Sequence, residues 1–366
     1  MWIISFGMLA YFPEFRGFGQ GYLDYEKGRL DPFMYGHGYD PLKLLEISRL
    51  IQVLVVVFLF LVLYALLQRL IPKLVAAFVV FFASIDHFSL GHSRMLDHEA
   101  MDSLLVIVSL LSLAIYLSKD RRLFFLLLSG VSAGFAQLTK SSAIAMLVAV
   151  GVLLLIQIYQ ERHDGIPKAV WGSTKTFLIW LAALVVTYFV FWPGMWVAPG
   201  KMLYEVYDNA FSYAFQGARL KITEELDVAA FSLDTNLIGL WEVTRVLLYR
   251  ITPLTWLGVL FGFAIPFTRD RELVRPYRQL FTLLLVTAIA FILMIGIAQG
   301  RYSPHYILSS YLALNLLAGL GWFVFIQWFG SRFSWIHWQY GALSFILIVQ
   351  VWSALSFFPY FYTYRN

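Results

Sequence analysis

Ten apolar runs, each close to the length a helix needs to cross a bilayer, leave this chain little choice of fold. Their cores fall at 50–67, 74–91, 101–117, 123–139, 142–158, 177–193, 251–267, 279–298, 306–329 and 340–358. About 20 mainly apolar residues cross the hydrocarbon core as an α-helix. Two of the runs are less uniform: 74–91 contains Asp86 and His87, and 123–139 carries several small residues and Gln137. The expected fold is an all-α polytopic membrane protein with about ten transmembrane helices, one integral-membrane domain over residues 1–366. Residues 1–49 form an extracytoplasmic N-terminal segment, and 194–250 an extracytoplasmic loop with interfacial helices. The run Met1–Phe12 is too short to span and reads as an interfacial helix or the end of a longer one. It has neither the basic start nor the small-residue cleavage site of a signal peptide.

Composition narrows the function. Charged residues make up 13% of the chain, against about 25% in soluble domains. No soluble core could hide 33 Phe, 21 Tyr and 12 Trp, so a soluble enzyme, a nucleic-acid binder and a disordered scaffold are excluded. The aromatic excess reads as lipid-facing and interfacial-belt material. The absence of Cys removes disulfides, thiolate metal sites and a cysteine nucleophile.

Lys and Arg in short loops set orientation. Placing the segment before the first span outside puts Arg69 and Lys73, then Lys119, Arg121 and Arg122, then Arg162, Lys168 and Lys175 inside. Arg269, Arg271, Arg275, Arg278 and Arg332 follow them there. These short loops hold nearly half of the 27 basic residues in a small fraction of the loop length. The protein is therefore expected to be multi-pass in the cell (plasma) membrane, with both termini extracytoplasmic. The stretches Leu203–Phe215 and Leu240–Leu248 are amphipathic and expected along the membrane surface.

Ionisable groups at membrane depth are costly and usually functional. Here they collect on one side. Residues 86–102 hold Asp86, His87, His92, Arg94, Asp97, His98, Glu99 and Asp102 between two apolar runs; Lys140, Arg301 and His305 fall at later outer ends. Such grouping fits a site at the outer membrane–water boundary better than a transport path, which would leave charges at mid-span. Blander readings stand beside it. Arg94 and Glu99 fit a helix-end ion pair, Lys140 fits a snorkelling lysine, and Asp97, His98 and Asp102 fit capping and dipole residues. Asp86-His87 reads as a second acidic patch or a satisfied pair. The His and carboxylate density leaves a divalent metal open, but the spacing matches no fixed ligand pattern, so no metal ligand is assigned and no cofactor is firmly implied.

Six segments, in order, resemble a known family. His92-Ser-Arg94-Met-Leu-Asp97-His98-Glu99-Ala-Met is similar to the "S-R-x-L-x-x-D-A-L" segment of GT-C membrane glycosyltransferases. Gly130-Val-Ser-Ala-Gly134-Phe-Ala-Gln-Leu-Thr-Lys140-Ser resembles "G-x-x-x-G-L-A-x-L-T-K-x-P", and Phe191-Trp192-Pro193-Gly-Met-Trp196-Val-Ala-Pro199 resembles "W-P-A-L-W-x-x-P". Tyr249-Arg250-Ile-Thr252-Pro253-Leu-Thr255 is similar to "F-R-x-T-P-L-T", His305-Tyr306-Ile-Leu to "R-Y-x-L-P", and Pro359-Tyr-Phe-Tyr-Thr363-Tyr364-Arg-Asn366 to "P-Y-Y-L-T-Y-Y-N-P". More narrowly the chain resembles glycosyltransferase family 39: the dolichyl-phosphate-mannose protein mannosyltransferases and their prokaryotic relatives, akin to the lipid A aminoarabinose transferases.

The resemblance implies transfer of a mannose-like sugar from a polyprenyl-phosphate-linked donor to an acceptor hydroxyl on a protein, lipid or glycan, on the extracytoplasmic face and with inversion. It makes the bilayer a partner and nucleic acid none. It implies Arg94, Lys140, Arg301 and His305 as donor-phosphate residues, and Glu99, Asp97 and His98 as the catalytic side. Three departures accompany it. The family's catalytic Asp lies in a first outer loop after an initial helix, and Met1-Trp2 resembles the segment after that loop, so the chain is expected to begin inside the family's domain. Asp24, Asp31 and Asp40 are not assigned to that role. The family's Arg in "R-Y-x-L-P" is His305 here, with Arg301 four positions earlier, which implies weaker or pH-dependent phosphate binding. The chain also stops at Asn366, where relatives continue. Two other readings remain at this level: a transporter or flippase of a lipid-linked sugar, and a non-catalytic fragment.

Overall fold

The computed structural model describes residues 2–16, 30–94, 98–216, 233–265, 277–297, 304–332 and 338–358. Among them every regular element is helical. In chain order these are α1 (Trp2–Tyr11), α2 (Leu30–Gly36), α3 (Pro41–Leu70), α4 (Lys73–Ser84), α5 (His87–Arg94), α6 (Glu99–Ser118), α7 (Leu123–Thr139) and α8 (Met146–Glu161). Then come α9 (Ile166–Phe191), α10 (Gly194–Val197), α11 (Pro199–Gln216), α12 (Leu233–Arg250), α13 (Pro253–Ala264), α14 (Arg278–Ile297), α15 (Leu308–Arg332) and α16 (Trp338–Ser356). The chain is an all-α polytopic membrane protein.

All ten apolar cores fall on helices, but not all as straight spans. Seven described helices are long and apolar enough to cross: α3, α6, α8, α9, α14, α15 and α16, with α8 extended by the preceding 3-10 turn. The run at 74–91 is broken into α4 and α5, bent by 65°; that at 251–267 is α13, bent by 113° from α12. The run at 123–139 is a short helix of 17 residues. α1, too short to cross, packs against α3, and Phe12, Met34 and Leu44 form a small cluster joining α1, α2 and α3. The stretch Leu240–Leu248, expected along the membrane surface, instead sends Val243 and Leu247 into the core, and α12 packs on α14.

Each bend has a local cause. Asp86 Oδ1 accepts from the N–H groups of Phe88 and Ser89 at 3.0 and 3.1 Å, so it opens a new helix where the preceding one has just closed. Thr252 takes an extended conformation and its hydroxyl accepts from the Thr255 N–H at 3.1 Å, with Pro253 in the first helical turn. One helix serves both bends. On α15, the buried Tyr311 hydroxyl lies 2.9 and 3.0 Å from the two carboxylate oxygens of Asp86 and 3.3 Å from the Arg250 carbonyl. One turn later Asn315 donates to the Tyr311 carbonyl at 3.2 Å and accepts from the Thr255 hydroxyl at 3.3 Å. Asp86 is thus a helix cap held by a tyrosine, whereas the His87 ring expected to pair with it stands 4.0 Å away.

Glycines set the closest helix contacts. A Cβ on Gly321 would stand 2.0 Å from the Gly258 carbonyl oxygen, and one on Gly258 would stand 2.6 Å from the Ala318 oxygen, so α13 and α15 touch backbone to backbone. Gly130 and Gly134 do the same for α7 and α9: their Cβ atoms would meet the carbonyl oxygens of Trp180 and Leu184 at 2.6 and 2.9 Å. Small residues four apart allow such approach in membranes, where apolar burial gives helices no reason to associate. The turn after α6 and the end of α8 share one end of the bundle, because Arg121 pairs with Glu161. The N-terminus of α6 and the C-terminus of α7 therefore lie together at the other end.

Two outcomes follow from these contacts. Gly321→Ala should cost about 2 kcal/mol or more, in the range for overpacked cores, while Gly151→Ala, whose Cβ meets nothing within 4 Å, should be neutral; thermal unfolding in detergent compares them. Tyr311→Phe should lower the midpoint as well, by the about 1–3 kcal/mol lost when a buried acceptor loses its donor.

Candidate functional site

Glu99 is the first residue of α6, and Asp102 follows almost one turn later, a spacing that places both carboxylates on one helix face. Lys140 terminates α7 in an extended conformation before the 3-10 turn Ser141–Ala145. A second 3-10 turn, Pro304–Ile307, brings His305 and Tyr306 to the start of α15. Three chain segments far apart in sequence thus deliver their polar residues to the same end of the bundle.

The centre is an ion pair between the Lys140 ammonium and Glu99 Oε1. Both groups are buried, Lys140 at 9% and Glu99 at 4% exposure. Lys140 therefore does not snorkel to water; it turns inward, because a buried carboxylate supplies the charge that a lysine needs away from solvent. Its Nζ also lies 4.5 Å from the centre of the Tyr306 ring, a cation–π contact strengthened by desolvation. His305 packs its ring against that of Tyr306, centres 4.2 Å apart. Beside the pair His98 is half-buried, with Nε2 3.9 Å from Glu99 Oε1.

Asp102 completes the group. It is 1% exposed, and its Oδ1 has no hydrogen-bond partner among the described residues. It caps nothing through that oxygen, and His98, which stands at the cap position, makes no side-chain cap bond. Buried polar atoms are nearly always satisfied, so an orphaned carboxylate oxygen beside an ion pair makes Asp102 a candidate for a functional role. A turn before Lys140, Gln137 accepts a hydrogen bond from the Tyr207 hydroxyl of α11 at 3.4 Å. Burial pushes that phenol above its ordinary range, keeping it a donor.

Of the residues expected at the site, the structure joins Glu99, His98 and Lys140 directly and brings His305 in through Tyr306. Arg94 stands exposed at the end of α5, and the buried cation beside Glu99 is Lys140. Asp97 and Arg301 lie outside the described residues, as does the segment from Pro359 onward. Among the described residues no three His, Asp or Glu side chains converge as metal ligands. Tyr306 and the unsatisfied oxygen of Asp102 were not assigned from the sequence. The signal for Tyr306 was its place beside His305 in the fifth family-like segment; for Asp102 it was the i, i+3 spacing from Glu99.

Comparison with known proteins covers part of the chain. Residues 45–196, less than half of the sequence, match the family model described as dolichyl-phosphate-mannose-protein mannosyltransferase. No curated protein and no solved structure matches significantly. The matched stretch runs from α3 to α10 and includes Glu99, Asp102 and Lys140, whereas His305 and Tyr306 fall beyond it. Over those residues this multi-pass membrane protein resembles the GT-C glycosyltransferases of mannosyltransferase type.

Proposed function

We propose that the protein transfers a mannose-like sugar from a polyprenyl-phosphate donor to an acceptor hydroxyl, at the end of the bundle that carries Lys140. The concentration of Lys and Arg in the short loops at the opposite end supports the extracytoplasmic face for it. The carrying observation is the buried Lys140–Glu99 pair, with the orphaned Asp102 beside it, inside the family-like stretch. A lysine sealed against a carboxylate can exchange that partner for an incoming lipid phosphate without exposing a bare charge.

In this reading the donor phosphate takes the Lys140 ammonium by charge-assisted hydrogen bonds, with Tyr306 closing over the cation. Glu99, released from its partner, accepts the proton of the acceptor hydroxyl, and His98 lines the mouth where that acceptor enters. The acceptor oxygen bonds to the anomeric carbon from the face opposite the phosphate. The bond from that carbon to the phosphate oxygen breaks with its electron pair on the phosphate, and the configuration inverts. Lys140 then faces a growing negative charge, so its interaction strengthens toward the transition state, where electrostatic stabilisation acts. His305 and Arg301 are proposed to assist on the phosphate side, and Asp97 on the acceptor side.

Lys140→Met alone should cost about 3–5 kcal/mol of stability, because it strands Glu99 as an unpaired buried carboxylate. The double variant Lys140→Met with Glu99→Gln removes both charges and should recover folded protein. Labelling by a photoreactive polyprenyl phosphate should nevertheless stay at least about tenfold below wild type, as expected for a lost bond to a charged group. Sugar transfer from polyprenyl-phosphate mannose in membranes should be lost with it. Wild-type labelling by the folded double variant would overturn the assignment.

A further inference from the structure

A small cavity lies where four helices meet, lined by faces of α5, α6 and α15 and by one turn of α3. It holds about 20 Å3, and a cavity of roughly 10–15 Å3 already admits a water molecule. Three of its lining residues carry hydroxyls: Ser89 and Ser93, one turn apart on α5, and Ser103 on α6. The rest of the described lining is apolar. Engineered cavities with wholly apolar walls stay dry, so these three groups decide what this one can hold.

Their hydrogen bonds do not close without a further molecule. Ser93 donates to the Leu90 carbonyl at 2.9 Å, and Ser103 to the Glu99 carbonyl at 2.7 Å. Each spends its single proton on its own helix and keeps oxygen lone pairs that can accept. Ser89 differs, because its buried Oγ has no hydrogen-bond partner among the described residues. A helical serine ordinarily donates to the carbonyl one turn back. For Ser89 that carbonyl belongs to Ile85, which closes α4 before the 65° bend into α5. The break in the span thus leaves this hydroxyl with a proton to give. One water completes the set: it accepts from Ser89 and donates to the oxygens of Ser93 and Ser103. Three bonds are the usual number for a buried water.

We propose that this cavity is a binding site for a single water, which ties the bent helix α5 to the first turns of α6. The Ser103 hydroxyl bonds the carbonyl of Glu99, so the water stands one hydroxyl behind the residue that meets Lys140. It fastens the far side of the bend that Asp86 begins, where the two helices otherwise offer each other an unused donor and two oxygens already committed to their own helices. The site does not depend on glycosyl transfer.

The test is X-ray radiolysis of the full chain in nanodiscs made up in oxygen-18 water, with oxidised side chains mapped by mass spectrometry. A held water yields hydroxyl radicals where it sits, so a buried side chain beside it is oxidised out of proportion to its exposure. Leu104 on α6 and Leu312 on α15 line the cavity and are 2% and 3% exposed. Leu110 and Leu317, on the same two helices and fully buried, do not line it. The first pair should take up label severalfold more than the second. Folded Ser89→Ala/Ser103→Ala protein should lose that excess. In thermal unfolding the two single changes should lower the midpoint by a sum clearly different from the fall in the double variant, because one water joins them. Ser89→Ala and Ser112→Ala should add, since the Ser112 hydroxyl bonds the Val108 carbonyl outside the cavity. The wild-type comparison decides even where a variant does not fold. Equal oxidation of the two leucine pairs, an excess that survives loss of both serines, or simple additivity of Ser89→Ala and Ser103→Ala would each overturn the proposal.

Discussion

A charge enclosed among apolar helices must meet its opposite, and that requirement organises the polar end of this protein. α6 is enclosed along most of its length, from Glu99 to Ile115, so the carboxylate at its first residue has little water to fall back on. Lys140 supplies the countercharge from the end of α7, 41 residues away. Neither group would be tolerable alone at such burial. Their pairing fixes where two spans end against each other, and it brings the Ser141–Ala145 and Pro304–Ile307 turns into one neighbourhood. The site is thus a consequence of how the bundle closes.

α15 connects that site to the rest of the fold. Its leading turn presents Tyr306 to Lys140, and one helical turn later Tyr311 holds both Asp86 and the Arg250 carbonyl. Asn315 extends the same stripe to Thr255. Farther along, Gly321 lets α13 approach to backbone contact. One face of one helix therefore secures two broken helices and one cation. A shift of α15 along its axis would be felt at all of these points at once, because packed helix interfaces resist continuous deformation.

Much of this architecture was legible in the sequence, for a physical reason: apolar length is a local property, and each of the ten runs became helix. The breaks were less legible. Asp86 announced itself as an unusual residue, but whether it caps a helix or lines a site depends on Tyr311, more than 200 residues later. Thr252-Pro253 was visible as a family-like segment, yet its helix start shortens a run that hydropathy alone draws as continuous. At the site, residue types were readable and partnerships were not. Glu99 looked like a partner for Arg94, five positions away, whereas burial joined it to Lys140. The bond is decided by which side chains the bundle encloses together, and spacing along the chain does not carry that information. Gly130 and Gly134, by contrast, were legible as a pattern and acquired their reason only from the backbone of α9 lying against them.

The pairing also constrains how any anion can bind here. A phosphate approaching Lys140 does not meet an idle cation; it replaces Glu99, and the net gain is the difference between two charge-assisted interactions rather than the whole of one. The displaced carboxylate then needs a proton or a new donor, since an unpaired charge at that burial is costly. In the proposed transfer an acceptor hydroxyl would meet both needs, first as a hydrogen-bond donor and then as the source of the proton. Donor binding would then create the base that the proposed reaction requires, and binding of donor and acceptor would be favourably coupled through one carboxylate. Asp102, buried one turn below with an oxygen unpartnered among the described residues, sharpens the argument: two acidic groups share one cation, so a phosphate that took Lys140 would leave both in want of a donor, and an acceptor hydroxyl would supply one.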